Sequence, residues 1–319
     1  MRGMAHHLDA WGRPMDQNDD PVTDSFRVGR ARVTRVEEWR GTFLTPAILF
    51  AGFTPDAYAA TRGDIGRAYL DPSTDAIEAR LQSWVIEHGG QTVLIDTGAG
   101  NDKDRPGLPV FGNLKTPFME RLAGAGFRPE DFDLVICTHL HVDHVGWNTR
   151  LVDGSWQPTF PRARYVFSAP DAEYWDPRNA DRFPEHVGAA VNAGFFEDSV
   201  RPILDAGRAD IVSGESVVGP GLRLAPAPGH TPGSQTITLE SDGETAIFCG
   251  DILHHPLQVL NPDWNSIFCE DASGARASRR MVLGMAADHS ARLVPAHFAG
   301  EHTVRIERHG DWFRPRFGG

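Results

Sequence analysis

The chain has 319 residues, 43 Asp and Glu against 31 Lys and Arg, a formal net charge of -12 and an apolar fraction of 40%. This balance suits a globular protein, and with no long basic run it disfavours both a disordered chain and a nucleic-acid partner. The three cysteines, Cys137, Cys249 and Cys269, have neither metal-type spacing nor the even number of a disulfide framework.

Residues 1 to about 25 are polar, contain a QNDDP stretch and read as a flexible arm ahead of one domain over residues 26–319. The arm lacks the apolar core of a secretory signal, and no apolar run reaches membrane-spanning length. A cytoplasmic, soluble protein without a membrane partner is the expectation. Residues 32–39 (RVTRVEEW) read as a first strand, whereas residues 41–80 have no clear pattern. Two β-rich runs in residues 81–98 (LQSWVIEHGGQTVLIDTG) flank His-Gly-Gly and read as a hairpin. Residues 116–132 read as a short helix with Thr116 as N-cap, Pro117 in first position and glycines at its end. Residues 132–137 (FDLVIC) form a buried strand, and residues 163–168 (ARYVFS) another. Residues 199–207 read as a short helix, and residues 222–255 as three strands joined by Pro/Gly turns. A helix followed by a strand over residues 273–298, then residues 302–313, close the chain. Alternating strands and helices with interspersed hairpins predict a layered α/β protein with mixed sheets.

The stretch ICTHLHVDHVGWNT places His139, His141, Asp143 and His144 directly after an apolar strand, where side chains emerge into a crevice. Imidazole and carboxylate are ligands of zinc, manganese or iron, and alternation lets His139 and His141 point the same way. Four groups so close in sequence cannot encircle two metals, so further ligands must come from other strand ends. His230 in PAPGHTPGS, Asp251 in AIFCGDILHH and His297 in RLVPAHF have that character. Each alone has a plain alternative as a capping Asp or a backbone-satisfied histidine; their order and shared position at strand ends makes the joint case.

THLHVDH, PGHTPGS, GD and AHF, in that order, with LIDTG upstream, resemble the motifs of the metallo-β-lactamase-fold hydrolases. The resemblance runs from about Arg32 to the C-terminus and implies a four-layer αββα sandwich of two mixed sheets flanked by helices. It implies that His139, His141 and His230 hold one metal, that Asp143, His144 and His297 hold a second, and that Asp251 bridges them. Asp96 would orient a ligand histidine. Two divalent ions are implied, zinc first, with manganese, cobalt or iron also suited to His and Asp. They would activate a bridging hydroxide against an ester, lactone or organophosphate triester. On this resemblance Asp143, Asp251 and His254 would form the catalytic set.

Quorum-quenching lactonases place a tyrosine three residues after the bridging Asp. Here that position is His254, as in methyl parathion hydrolase-like proteins, and its imidazole is expected to donate to the developing oxyanion. The adjacent His255 reads as a surface residue. Trp147, Trp264 and Phe298 read first as packing; if they line the pocket they favour a small-molecule substrate with an apolar or aromatic part. Other branches of the fold remain as alternatives: an aromatic dehalogenase, a glyoxalase II-like thioesterase, a persulfide dioxygenase with one iron, a β-lactamase, or a non-catalytic metal-binding module. A homodimer is common among relatives.

Overall fold

The computed structural model describes residues 22–183 and 186–318. Two seven-stranded sheets dominate, and each takes its main strands in chain order. The first holds β1 (Thr23–Val28), β2 (Ala31–Thr42), β3 (Glu78–His88), β4 (Gln91–Ile95), β5 (Leu134–Ile136), β6 (Arg164–Ser168) and β7 (Ala209–Val212). It is antiparallel up to β4 and parallel from there on. The second holds β8 (Ser216–Gly219), β9 (Leu222–Pro226), β10 (Gln235–Ser241), β11 (Glu244–Gly250), β12 (Arg292–Pro295), β13 (Val304–His309) and β14 (Trp312–Arg316). Only its β11–β12 pair is parallel, and a 17-residue helix supplies the crossover that a parallel pair needs.

Strand alternation builds the layers. Val93 and Ile95 of β4, Leu134 and Ile136 of β5, and Ala246 and Phe248 of β11 meet in one core between the sheets. Their neighbours Leu94 and Val135 face an outer layer with Phe118 and Leu122 of helix α1 (Phe118–Gly124). Ile247 and Cys249 face the opposite layer, with Val282, Leu283 and Ala286 of the crossover helix, α2 (Ala272–Asp288). Buried positions 275, 278, 279, 282, 283 and 286 fall at helical spacing on one face of α2, whose N-cap Asp271 accepts from the Ser273 amide. The result is the αββα sandwich.

Several local expectations need correction. Residues 32–39 lie in β2, the second strand rather than the first, and Thr23–Val28 already pairs with it. Most of the expected arm, residues 1–21, lies outside the described residues. At α1 the cap position falls to Pro117, and the Thr116 hydroxyl donates instead to Glu38 Oε1 at 3.3 Å and Asn101 Oδ1 at 3.2 Å. The unpatterned residues 41–80 hold short pieces, including helices at Pro46–Leu49 and Pro55–Thr61, that place Leu49, Phe50, Ile65 and Ile77 in the outer core of the second sheet. Elements this short show no periodicity. The helix Arg201–Asp205 follows a wider π-type turn, Phe196–Val200.

Candidate metal centre

Both sheets deliver side chains to one edge. His139, His141, Asp143 and His144 follow β5, His230 lies between β9 and β10, Asp251 directly follows β11, and His297 lies two residues past β12. The edges meet where Ala79 bridges Phe298 and the Arg80 amide donates to His297 O at 3.2 Å. All seven residues expected as ligands converge there.

Asp251 sits at the middle, and its two oxygens face different groups. Oδ2 lies 3.4 Å from His230 Nε2, 4.0 Å from His139 Nε2 and 3.2 Å from His254 Nε2. Oδ1 lies 3.3 Å from His144 Nε2 and 2.9 Å from His297 Nε2. Asp143 joins this second group, 3.7 Å from His144 Nε2 and 3.6 Å from His297 Nε2. His139, His141 and His230 form a triad of their own on the first side.

The donor set fits metal ions. Nε2 of His139, His141, His144 and His230 and Oδ1 of Asp251 are buried without a hydrogen-bond partner. Orphaned polar atoms are costly unless something binds them, and here they point at one another. Burial keeps His139 and His141 well below the usual imidazole range, whereas at His144, His230 and His297 the Asp251 carboxylate outweighs burial and raises the imidazoles above it, so an ion binding there would displace protons. Burial alone would raise the Asp251 carboxyl, yet the imidazoles around it hold it well below the ordinary carboxylate range.

The other ring nitrogens are anchored. Asp96 Oδ2 accepts from His144 Nδ1 at 3.0 Å and from the Thr138 hydroxyl at 2.8 Å, while its Oδ1 takes the Thr138 amide at 2.7 Å. His297 Nδ1 donates to Arg80 O at 2.9 Å. The Cys269 thiol lies 3.7 Å from His230 Nδ1. Asp96, the residue expected to orient a histidine, thus holds His144.

His254 is buried, lines the same cleft, and has neither ring nitrogen hydrogen-bonded; its amide donates to Gln258 Oε1 at 2.8 Å. Burial lowers its pKa to about 4, so the ring is neutral at neutral pH. His255 corrects the surface reading: it is buried, donating from Nε2 to Tyr69 O at 3.0 Å and accepting the Leu257 amide at Nδ1. Trp147, Trp264 and Phe298 pack elsewhere, against Phe118, Phe50 and Tyr69 respectively.

The cleft beside the centre has a volume of ≈ 680 Å³ including its open mouth. Its aromatic wall is Trp39, Phe43, Phe111 and Phe268. Trp39 meets Phe111 edge-on at 5.6 Å, and Phe43 stands between Phe111 and Phe268. Among the described lining residues the charged side chains are Asp143 and Asp251, with no Lys or Arg.

Three supporting residues escaped sequence reasoning. Buried Asp171 accepts the Leu140 amide at 2.8 Å, the Thr231 hydroxyl at 2.8 Å and the Gly233 amide at 2.6 Å, tying the histidine-rich loop to the His230 loop. Burial raises its pKa to about 6. Arg279, buried on α2, donates to Ile252 O at 2.8 Å and so backs the Asp251 loop. Glu38, the third, accepts the Ala99 amide at 2.6 Å and the Trp147 indole at 2.7 Å. Only a Pro-Asp pair at the head of residues 170–171 and the odd buried charges in RVEEW hint at them, and neither signal singles out a partner.

Comparison with known proteins places this geometry. The profile of the metallo-beta-lactamase superfamily matches residues 82–297. An N-acyl homoserine lactonase of a Bacillus species is 25% identical over 197 residues, 56% of this chain and 68% of that one. The N-acyl homoserine lactonase of Bacillus cereus is 28% identical over 196 residues, with 56% and 68% covered. Among solved structures, the beta-lactamase-superfamily hydrolase AbOPH superposes with a TM-score of 0.78 at 22% identity over 93% of this chain and 97% of that one. The dizinc quorum-quenching lactonase AidC, solved with N-hexanoyl-L-homoserine product, gives 0.75 at 18% identity over 94% and 99%. The profile spans most of the chain and the fold is shared over more than nine-tenths of it: the chain belongs to the metallo-beta-lactamase superfamily, as a metal-dependent hydrolase.

Proposed function

We propose that this hydrolase is dinuclear and cleaves a neutral ester or lactone whose acyl or alcohol part is apolar or aromatic. His139, His141 and His230 would hold one ion, Asp143, His144 and His297 the other, with Asp251 shared between them. The observation that carries this reading is the split of Asp251, whose Oδ2 faces one histidine group and Oδ1 the other. Divalent ions bound there would lower the pKa of bound water to about 7 and polarise the scissile carbonyl.

The chain's own groups do the rest. Asp251 and Asp143 would supply the negative charge that offsets the cations. His254, neutral and 3.2 Å from Asp251 Oδ2, stands at the cleft where its N–H can meet charge developing on a carbonyl oxygen. The aromatic wall takes the apolar body of the substrate and excludes water from it. With no Lys or Arg among the described lining residues, the carboxylates of an anionic substrate such as a glutathione thioester would find no side-chain counter-charge away from the ions. The likeness to relatives named N-acyl homoserine lactonases supports a lactone carbonyl. The four rings support a second reading, an aryl phosphotriester with an aromatic leaving group.

The test is metal quantitation together with turnover of N-acyl homoserine lactones of several chain lengths, aryl esters, an aryl phosphotriester and a β-lactam. Two ions per chain and hydrolysis of lactones or aryl esters are expected. A stoichiometry that never exceeds one after saturation with zinc or manganese sinks the dinuclear reading.

A further inference from the structure

We infer that Glu38 is the positioning residue of the His144 half of the centre, an inference that rests on the two-ion reading above. The register of β2 on β3 shifts between the pairs Glu37–Gln82 and Trp39–Leu81, leaving Glu38 as the extra residue of a bulge. A bulge re-aims side chains. Glu38 and Trp39 both reach the layer around Ala99: Trp39 packs there as part of the cleft wall, and the Glu38 carboxylate binds the loop itself.

That carboxylate is 1% exposed and collects four donors. Oε2 accepts the Ala99 amide at 2.6 Å; Oε1 accepts the Gly100 amide at 3.0 Å, the Trp147 indole at 2.7 Å and the Thr116 hydroxyl at 3.3 Å. The two segments it joins are already laced by backbone. Thr97 N donates to His144 O at 2.8 Å, Gly146 N to Gly98 O at 2.7 Å and Trp147 N to Thr97 O at 2.8 Å. One segment carries Asp96, which accepts from His144 Nδ1, and the other begins with His144 itself. Gly98 is shaped for this contact: its φ is +58°, and a Cβ there would lie 1.9 Å from Glu38 Oε2. Glu38 touches no ligand; it fixes the two segments whose relative position sets the Asp96–His144 bond.

Ionised, as it is above about pH 7, the carboxylate offers only acceptors, as four donors require. In Glu38→Gln one oxygen becomes an NH₂ group, which faces an N–H whichever way the amide turns. On the other side, His139 reaches Asp96 only through Thr138, and the His230 loop is tied by Cys269 and the Asp171 network, so that ion should feel the change far less than the one beside His144.

The experiment is competitive zinc titration of wild type and Glu38→Gln against a chelating dye, with circular dichroism to verify folding. One zinc should be weakened about 10–100-fold and the other by clearly less, with the loss of turnover in kcat rather than KM. Two zinc ions bound to Glu38→Gln at wild-type affinity overturn the inference alone; a wild-type chain that holds only one overturns the two-ion reading and the inference with it. If Glu38→Gln does not fold, Trp147→Phe, which removes one donor and keeps the carboxylate, should weaken the same zinc to a lesser degree, and wild-type affinity for both zinc ions in that variant overturns the inference.

Discussion

Asp251 is the one side chain of the centre that both histidine groups face. Asp251→Ala should remove the group that both histidine sets face, lower the affinity for at least one metal and reduce turnover on the order of a hundredfold or more. Metal analysis beside steady-state kinetics checks this, and near-normal turnover with two ions bound would mean the bridge lies elsewhere. His254→Ala should behave differently. It keeps the metal content and loses about 10²–10³ in kcat with KM little changed, because a donor to the oxyanion acts only as charge develops. Glu38 carries a pH signature. Burial raises its carboxyl from 4.5 to about 7, so between those values the folded chain binds more protons than the unfolded one. Stability due to this group therefore falls as pH rises through that window. In metal-free protein, wild type should lose up to roughly 3 kcal/mol relative to Glu38→Gln from pH 4.5 to 7, read by urea denaturation at several pH values. The seven candidate ligands were legible in sequence because each sits beside a short apolar run and a turn. Glu38 and Asp171 were not, since a buried carboxylate is recognised by donors that lie 31 to 109 residues away.

At the scale of elements, the turn after β4 leaves no room for a side chain at Gly98. Gly98→Ala must adopt a left-handed backbone and drive its Cβ into the Glu38 carboxylate, so it should destabilise by clearly more than the 1–2 kcal/mol typical of φ alone. Gly90→Ala is the control: its φ is +81° but no atom lies within 4 Å of a Cβ there. Equal losses for the two in denaturant titrations would show that the contact with Glu38 is soft. The strands themselves read well from sequence, since alternation sorts Val93 and Ile95 from Leu94 without reference to the rest of the chain. The cleft wall did not. Trp39, Phe43, Phe111 and Phe268 come from four separated segments, and aromatic residues adjacent to ligands, such as Trp147 and Phe298, turned out to be packing. Proximity in sequence to a ligand says which strand end a ring is on, not which way it points.

For the whole molecule, the resemblance in five motifs carried the layered architecture because those motifs mark the seam where the two sheets meet. Residues 41–80 stayed unread for the opposite reason: their order comes from packing on the second sheet rather than from any local repeat. That seam has a kinetic consequence. Each sheet takes its main strands in chain order, the first from Thr23–Val212 and the second from Ser216–Arg316, so neighbours along the chain can pair before the halves dock. His139, His141, Asp143 and His144 belong to the first half, and His230, Asp251 and His297 to the second. A complete ligand set then exists only after docking, which is expected to follow the main barrier to folding. Zinc should consequently slow unfolding while leaving the refolding rate nearly unchanged. Stopped-flow refolding and unfolding with zinc and with a chelator should give overlapping folding limbs and a displaced unfolding limb. An accelerated folding limb would instead put the metal centre in the nucleus. On the expected outcome, the bound ions act as a late lock, prolonging the lifetime of a native state they had no part in finding.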